Sequence, residues 1–319
     1  MRAKILVTRH LPDAVEDRLR RDFEPALNEA DTAYPEARII ELCRGCDGLL
    51  TCPADKISGG LIDAVSGSVK IISTFSVGFE HIDLAAAGRH GIAVTNTPGV
   101  LTQATADLAF LLILGATRRA FEGQDLIRRN AWSGWTPTQL MGTGLQGKRL
   151  GILGMGRIGR AVAARARAFG MEIHYHSRHR LGPDAEAAAV FHQTADGLLQ
   201  LSDVLSIHCP LTDETRHFLN AQRIARLPEG GVVVNSARGP VIDDEALIAA
   251  LKSGRLAAAG LDVFEGEPEI HPGYRELANV YLLPHLGSAT IETRNAMGFK
   301  ALDNLDAFFA GKEPPDRVA

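Results

Sequence analysis

Short apolar runs alternating with helix-periodic stretches organise most of this chain. Residues 5–8, 48–51 and 71–74 are apolar runs of strand length, and 12–22 repeat their apolar positions with helical spacing. Such alternation predicts parallel sheets with helices on both faces. Ala93-Val94-Thr95-Asn96-Thr97-Pro98-Gly99 closes this first series with two backbone breakers and reads as a hinge. Beyond it, 105–116 is a strongly apolar helix, and 130–147 is an irregular arm carrying Trp132 and Trp135. A strand over 148–153 opens a second series, with further strands near 171–176, 204–208, 232–235, 258–263 and 280–283. Residues 288–309 are helical in pattern and are expected to return to the first series. The prediction is an α/β chain of two parallel-sheet domains, with residues 99–287 inserted between 1–98 and 288–319.

Composition narrows the class. At 319 residues the chain suits two domains of about 100 to 200 residues each. With 45% hydrophobic and 23% charged residues, disorder, collagen and coiled coil are disfavoured. A net charge of -4 and a pI near 6.3 give no basic field for a phosphate backbone, so nucleic acid is not an expected partner. The apolar stretch 108–116 is far short of the ~20 residues that span a bilayer. No signal-peptide pattern precedes the first strand, so no membrane association and a cytoplasmic location are expected. Cys43-Arg44-Gly45-Cys46 has the spacing of half a zinc site, but no second pair completes it, and buried reduced thiols are the reading. His174 and His176 share one face of a strand without a third ligand, so no metal is expected.

Gly154-Met155-Gly156-Arg157-Ile158-Gly159 changes the picture most. A G-x-G-x-x-G match is weak alone, but here Leu150-Gly151-Ile152-Leu153 precedes it as a buried strand and 158–169 follows it as a helix. In that order, Gly154 permits a tight turn, Gly156 lets the backbone approach a pyrophosphate, and Gly159 allows close helix packing. The helix N-terminus offers N–H groups to the anion. Residues 99–287 are therefore expected to be a Rossmann-like dinucleotide-binding domain, and the remainder a flavodoxin-like substrate domain. Where an NAD-preferring site places an acid, this chain reads Ser177-Arg178-His179-Arg180. An acid there would accept the adenosine ribose hydroxyls, whereas Arg pairs with a 2′-phosphate. NADPH is thus the preferred cofactor, NADH remaining possible, with Arg178 the main phosphate partner and Ser177 and Arg180 in support. A solvated basic loop is the duller alternative.

Three side chains downstream fit hydride transfer. Arg238, Glu267 and His285 each follow an apolar, strand-like run, and ligands bind at the carboxyl ends of strands in open α/β sheets. Hydride delivery to a carbonyl carbon needs a proton at the developing alkoxide, and imidazole is the natural donor. A carboxylate beside His285 would hold the ring and favour its charged form. Glu267 and Glu265 both qualify by position. Arg238 could bind the substrate carboxylate and polarise its carbonyl. Singly, the three could instead be a strand-end cap, a solvated acid and a surface ion-pair partner.

Together with Ser76-Val77-Gly78-Phe79, Thr97-Pro98-Gly99, Ala104-Thr105-Ala106-Asp107, His208-Cys209-Pro210-Leu211, Asn235 to Gly239, Asp262 to Pro268 and Pro284 to Gly287, these motifs make the chain resemble the D-isomer-specific 2-hydroxyacid dehydrogenase family over essentially its whole length. Residues 101–109 and the Trp132-x-x-Trp135 arm look most like the glyoxylate/hydroxypyruvate reductases. The resemblance selects Glu267, directly before proline, as the partner of His285, and implies that the backbone N–H groups of Val77 and Gly78 bind the substrate carboxylate. It implicates Thr105, Ile158, Cys209, Pro210, Thr215, Ala237, Asp262 and Gly287 in holding the cofactor, beside Gly154, Gly156, Arg157, Gly159, Arg238 and His285. Asp262 is expected to accept from the nicotinamide carboxamide; a buried carboxylate satisfied by backbone donors is its alternative. A homodimer is implied, with Trp135 reaching the neighbouring subunit's substrate pocket. The expected reaction reduces small 2-keto acids to D-2-hydroxy acids. Alternatives are a phosphoglycerate or D-lactate type dehydrogenase, and a dinucleotide-sensing corepressor-like module without activity.

Overall fold

A computed structural model describes residues 2–319 and separates them into two units by internal contacts. One comprises Met1–Leu101 with Ser288–Ala319, the other Thr102–Gly287. The break falls just past the Pro98-Gly99 hinge, at the start of the helix Thr102–Thr117.

In the first unit, β1 (Lys4–Val7), β2 (Glu24–Ala26), β3 (Gly48–Thr51), β4 (Ile71–Thr74) and β5 (Ala93–Thr95) pair in parallel in the order β2-β1-β3-β4-β5. This is the flavodoxin-like order, with its reversal between β1 and β3. Every residue of β3 and β4 is buried, as expected of parallel strands covered on both faces. The helix Ile291–Phe309 starts at the Thr290 cap, which accepts from the Thr293 N–H at 3.1 Å, and lies along β4, where the Ser73 hydroxyl bonds the Ala301 carbonyl. Beyond it, Val318 and Ala319 hydrogen-bond the backbone of Val94, and Arg317 bridges antiparallel to Thr95, covering the edge at β5.

In the second unit, β6 (Arg149–Leu153), β7 (Glu172–His176), β8 (Val190–Phe191), β9 (Val204–Ile207), β10 (Gly231–Asn235), β11 (Leu256–Leu261) and β12 (Val280–Leu282) form a parallel sheet ordered β12-β11-β10-β9-β6-β7-β8. Counted from β6, this is the doubly wound dinucleotide-binding order extended by one strand, and it reverses between β6 and β9. The helix Thr102–Thr117 is buried along much of its length against β10 and β11, and close approach there requires Gly260, whose added Cβ would stand 2.7 Å from the Leu112 carbonyl oxygen. Among the described residues, no helix is long and apolar enough to cross a membrane, and no group of three or more His, Cys, Asp or Glu could hold a metal ion.

Candidate active site

At the reversal point of the larger sheet, β6 ends in the glycine turn and β9 ends at His208 and Cys209. Gly154 has φ 97°, and a Cβ there would stand 2.7 Å from the Cys209 nitrogen, so only glycine lets these two strand ends meet. Gly156 has the opposite environment: an added Cβ would meet nothing within 4 Å, leaving the backbone open to a large anion. Gly159 sits against the Gly154 carbonyl and brings the helix Arg157–Ala168 down onto the turn. That helix has no side-chain cap and no acid in its first turn, so its positive end is neutralised by nothing of its own. Arg157 is exposed and Ile158 half-buried on the same turn. These features fit a pyrophosphate-bearing dinucleotide.

Around the neighbouring strand ends, the Ser177 hydroxyl accepts from the Met155 N–H at 2.7 Å, tying β7 to the glycine turn while keeping its own proton free to donate. Arg178 is exposed and, among the described residues, has no hydrogen-bond or ion-pair partner. Arg180 has a local partner. Its guanidinium turns back onto Glu186 at 2.9 and 3.1 Å, and Glu186 also accepts from the Tyr175 hydroxyl at 2.6 Å. These bonds hold the Glu186 carboxyl below its usual range. Two-pronged pairing with a close carboxylate outweighs reaching into solvent. On the other strand end, burial pushes the Cys209 thiol up to about 11, so it is a packing group rather than a nucleophile. Thr215 closes a local turn, donating to the Pro210 carbonyl and accepting from the Thr212 N–H, both at 2.7 Å. Sequence reasoning assigned nothing to His208. Burial pushes its imidazole down to about 4, and its Nε2 lies 2.8 Å from the Ser206 hydroxyl, so it stands beside the turn as a neutral group.

Arg238, Glu267 and His285 follow β10, β11 and β12 respectively. Asn235 ends β10 by accepting from the Ala237 N–H at 3.0 Å and donating to the Arg238 carbonyl at 2.9 Å, which fixes the turn bearing Arg238. The guanidinium of Arg238 is half-buried and donates to the Ala237 carbonyl at 2.7 Å. A Cβ at Gly239 would overlap the Phe264 carbonyl group, so glycine is what lets this turn lie against the segment leading to Glu267. Glu267 accepts from the Phe264 N–H at 2.7 Å through one oxygen and lies 2.7 Å from Nδ1 of His285 through the other. Burial raises its carboxyl, but the His285 bond and charge, the Phe264 N–H and the Arg238 charge outweigh that and leave it below its usual range. Glu265, the rival carboxylate, is occupied elsewhere, by Arg216 at 3.1 Å and His217 at 2.7 Å.

His285 has φ 56°, a left-handed conformation rare for a non-glycine residue and characteristic of over-determined functional sites. What over-determines it is Asp262, fully buried at the end of β11. The Asp262 carbonyl accepts from the His285 N–H at 2.9 Å, and its two carboxylate oxygens accept from Leu286 at 2.7 Å and Gly287 at 2.8 Å. Burial raises the Asp262 carboxyl, the Leu286 N–H, His285 and the Gly287 N–H pull it back in part, and it stands at about 6. Both oxygens thus serve backbone donors. Thr105 is buried close to Gly287, with its methyl 3.4 Å from the position of an added Cβ.

Val77 and Gly78 follow β4 in the smaller unit. The Ser76 hydroxyl donates to the Gly78 carbonyl at 2.6 Å, the Asn96 amide donates to the Val77 carbonyl at 2.7 Å, and the Thr97 N–H donates to the Ser76 carbonyl at 2.8 Å. Among the described residues, neither the Val77 nor the Gly78 N–H is taken by another protein group. Trp132 and Trp135 are 52% and 77% exposed, on the arm of the larger unit. Sequence reasoning gave Asn96 no role, because a side chain fixing a distant loop leaves no periodic trace in the sequence.

Comparison with known proteins covers the stretch of chain that carries this geometry. The family profile described as D-isomer specific 2-hydroxyacid dehydrogenase, NAD binding domain, matches residues 110–287, which contain the glycine turn, Arg238, Glu267 and His285. A glycerate dehydrogenase from Hyphomicrobium methylovorum is 45% identical over 312 residues, 97% of each chain. A glyoxylate reductase from Thermococcus litoralis is 42% identical over 322 residues, covering 100% of this chain and 97% of that one. The crystal structure of an NADPH-dependent glyoxylate/hydroxypyruvate reductase from Sinorhizobium meliloti, in complex with NADP and malonate, superposes with a TM-score of 0.90 at 36% identity, covering 100% of this chain and 97% of that one. A match of this length to both sequence and fold leaves one assignment: the chain belongs to the D-isomer specific 2-hydroxyacid dehydrogenase family, oxidoreductases that work with a nicotinamide dinucleotide.

Proposed function

We propose that the protein reduces small 2-keto acids, glyoxylate and hydroxypyruvate, to the corresponding D-2-hydroxy acids with NADPH. The observation that carries this reading is the 2.7 Å pair of Glu267 and His285 Nδ1, on a histidine held in a left-handed conformation. With Nδ1 committed to Glu267, Nε2 is the nitrogen that presents a proton to the carbonyl oxygen as it becomes an alkoxide. Arg238 binds the carboxylate and draws electron density from the carbonyl, making its carbon a better acceptor. The N–H groups of Val77 and Gly78 are two further donors for the carboxylate. When bound, NADPH supplies the hydride. Gly154, Gly156, Gly159 and the first turn of the helix Arg157–Ala168 would hold its pyrophosphate, and Arg178 with the Ser177 hydroxyl would take its 2′-phosphate.

Support for these substrates comes from relatives of near-complete coverage that are named glyoxylate reductase and glycerate dehydrogenase. Oxidising the 2-hydroxyl of glycerate gives hydroxypyruvate, so the second name describes the same couple in reverse. Support for NADPH comes from the missing acid, the unpaired Arg178, and the NADPH-dependent relative.

The test is the absorbance of NADPH and NADH followed against a panel of 2-keto acids. Glyoxylate and hydroxypyruvate should be reduced, with higher kcat/KM for NADPH than for NADH. His285→Ala should lower kcat by roughly a hundredfold to ten-thousandfold. Arg178→Ala should reduce the NADPH preference about tenfold or more, the worth of a charge-assisted phosphate contact. Oxidation of neither cofactor would overturn the enzymatic reading, and an NADH preference indifferent to Arg178 would overturn the cofactor assignment.

A further inference from the structure

Two successive peptide units after β4 have their carbonyl oxygens held from behind. The Ser76 carbonyl accepts from the Thr97 N–H at 2.8 Å, and the Val77 carbonyl accepts from the Asn96 side-chain amide at 2.7 Å. A trans peptide is planar, with its C=O and N–H pointing in opposite directions. Holding the Ser76 oxygen therefore aims the Val77 N–H away from Thr97, and holding the Val77 oxygen aims the Gly78 N–H away from Asn96. These are the two N–H groups that no other protein group uses among the described residues.

Asn96 is itself buried and tightly held. Its N–H donates to the Asp316 carbonyl at 3.2 Å, and its carbonyl accepts from the Asn304 amide at 3.3 Å. Asn304, fully buried on the helix Ile291–Phe309, also donates to the Asp316 carboxylate at 3.2 Å and accepts from the Asp316 N–H at 3.0 Å. Lys300 closes the cluster on the same carboxylate at 3.1 Å. An unbroken line of hydrogen bonds thus runs from Asp316 through Asn304 and Asn96 to the peptide that carries the Gly78 N–H. A hydrophobic residue could fill the space of Asn96, but only a side-chain donor can fix that peptide's rotation.

We propose that Asn96 is a positioning residue for the substrate carboxylate, setting the direction of the Gly78 N–H, and that Asn304 and Asp316 hold Asn96 in place. The proposal rests on the reading of Val77 and Gly78 as the carboxylate's backbone donors, and its test separates the two. In [15N]glycine-labelled protein saturated with NADPH, titration with oxamate, an unreactive 2-keto acid mimic, should move the Gly78 amide resonance. An unmoved resonance overturns the reading of the donors, and the proposal with it. With that resonance moved, Asn96→Ala should raise the glyoxylate KM and the oxamate inhibition constant about tenfold or more, the worth of a hydrogen bond to a charged group. The NADPH dissociation constant and kcat at saturating glyoxylate should change less than about threefold on the same scale. A merely structural role would lower the melting temperature without that division. Asn304→Ala leaves the donor but removes its support, and should give the same division with a smaller rise in KM. It decides the matter should Asn96→Ala fail to fold. An unchanged KM in the folded variants, or a uniform loss of KM, kcat and NADPH affinity, overturns the proposal while leaving the donors' role intact.

Discussion

At the scale of single residues, the pair Glu267–His285 is set by competition for carboxylates. Two glutamates lie two positions apart, and Arg216 and His217 occupy Glu265, so Glu267 alone meets His285. Burial would push the Glu267 carboxyl up, but His285, the Phe264 N–H and Arg238 together hold it down, so it is ionised throughout the neutral range. Glu267→Gln keeps the shape of the bond and removes the charge. Its kcat should fall on the order of a hundredfold between pH 6 and 8, with the NADPH dissociation constant unchanged. Stability has a defined sign as well. A carboxyl lowered in the folded state stabilises the fold above its unfolded value, and that contribution is lost as pH falls through the folded value. The melting temperatures of the native protein and Glu267→Gln should therefore differ by a constant amount above the ordinary glutamate range, and that difference should shrink as pH falls below it. A variant within twofold of native kcat would reduce the pair to a loop fastener.

Elements decide where those residues point. The turn after β11 supplies Asp262, and Asp262 fastens His285, Leu286 and Gly287 beyond β12. At about 6, this carboxyl lies above its ordinary value of 3.8, which corresponds to a cost on the order of 3 kcal/mol for ionising it in the folded chain. The sign is opposite to that of Glu267: the folded state holds the proton more tightly, so stability declines as pH rises from about 4 to about 6 and the loss is complete above that. Asp262→Asn removes the titration but sets an amide against two N–H donors. The variant should lose this part of the decline between pH 4 and 7 in thermal melts. Its kcat should also drop, roughly tenfold to a hundredfold, as His285 leaves its left-handed conformation. A variant with the native pH slope would mean that Asp262 does not titrate in this range. Much of this was legible beforehand: strand ends carrying reactive side chains, the glycine turn and the alternation of parallel strands with helices all follow from periodicity and turn residues. The edge strands β2 and β8 did not follow, because β2 has three residues including Pro25 and β8 has two. The helix Ala120–Arg128 was missed because it buries none of its residues fully. The Asn96 fastening was invisible for another reason: it joins a side chain to a backbone far away in sequence.

For the whole molecule, the apolar side chains left at the surface are unevenly distributed. Of the eleven large hydrophobic residues exposed among the described residues, Leu111, Phe121, Ile127, Trp132, Trp135 and Met141 fall within residues 111–141 of the larger unit. Such a concentration is uncommon on a monomer's surface, and tryptophan is enriched among the residues that anchor interfaces. The charge near neutrality, -4 over 319 residues, sets little repulsion against a second copy. Association through this region should make the protein a homodimer in solution, burying about 1,600 Å² or more in total. Sedimentation at micromolar concentration should give a dimer for the native chain. Trp132→Asp combined with Trp135→Asp should shift it towards monomer, because each carboxylate would be desolvated in a closed interface. Trp135→Ala separates association from catalysis. If the arm also reaches the neighbouring copy's substrate pocket, this variant should stay dimeric and raise the glyoxylate KM several-fold, since one truncated aromatic contact is worth about 1 to 2 kcal/mol. A native chain that sediments as a monomer would remove the dimer, and a dimeric Trp135→Ala with native KM would leave the arm a purely structural part of it.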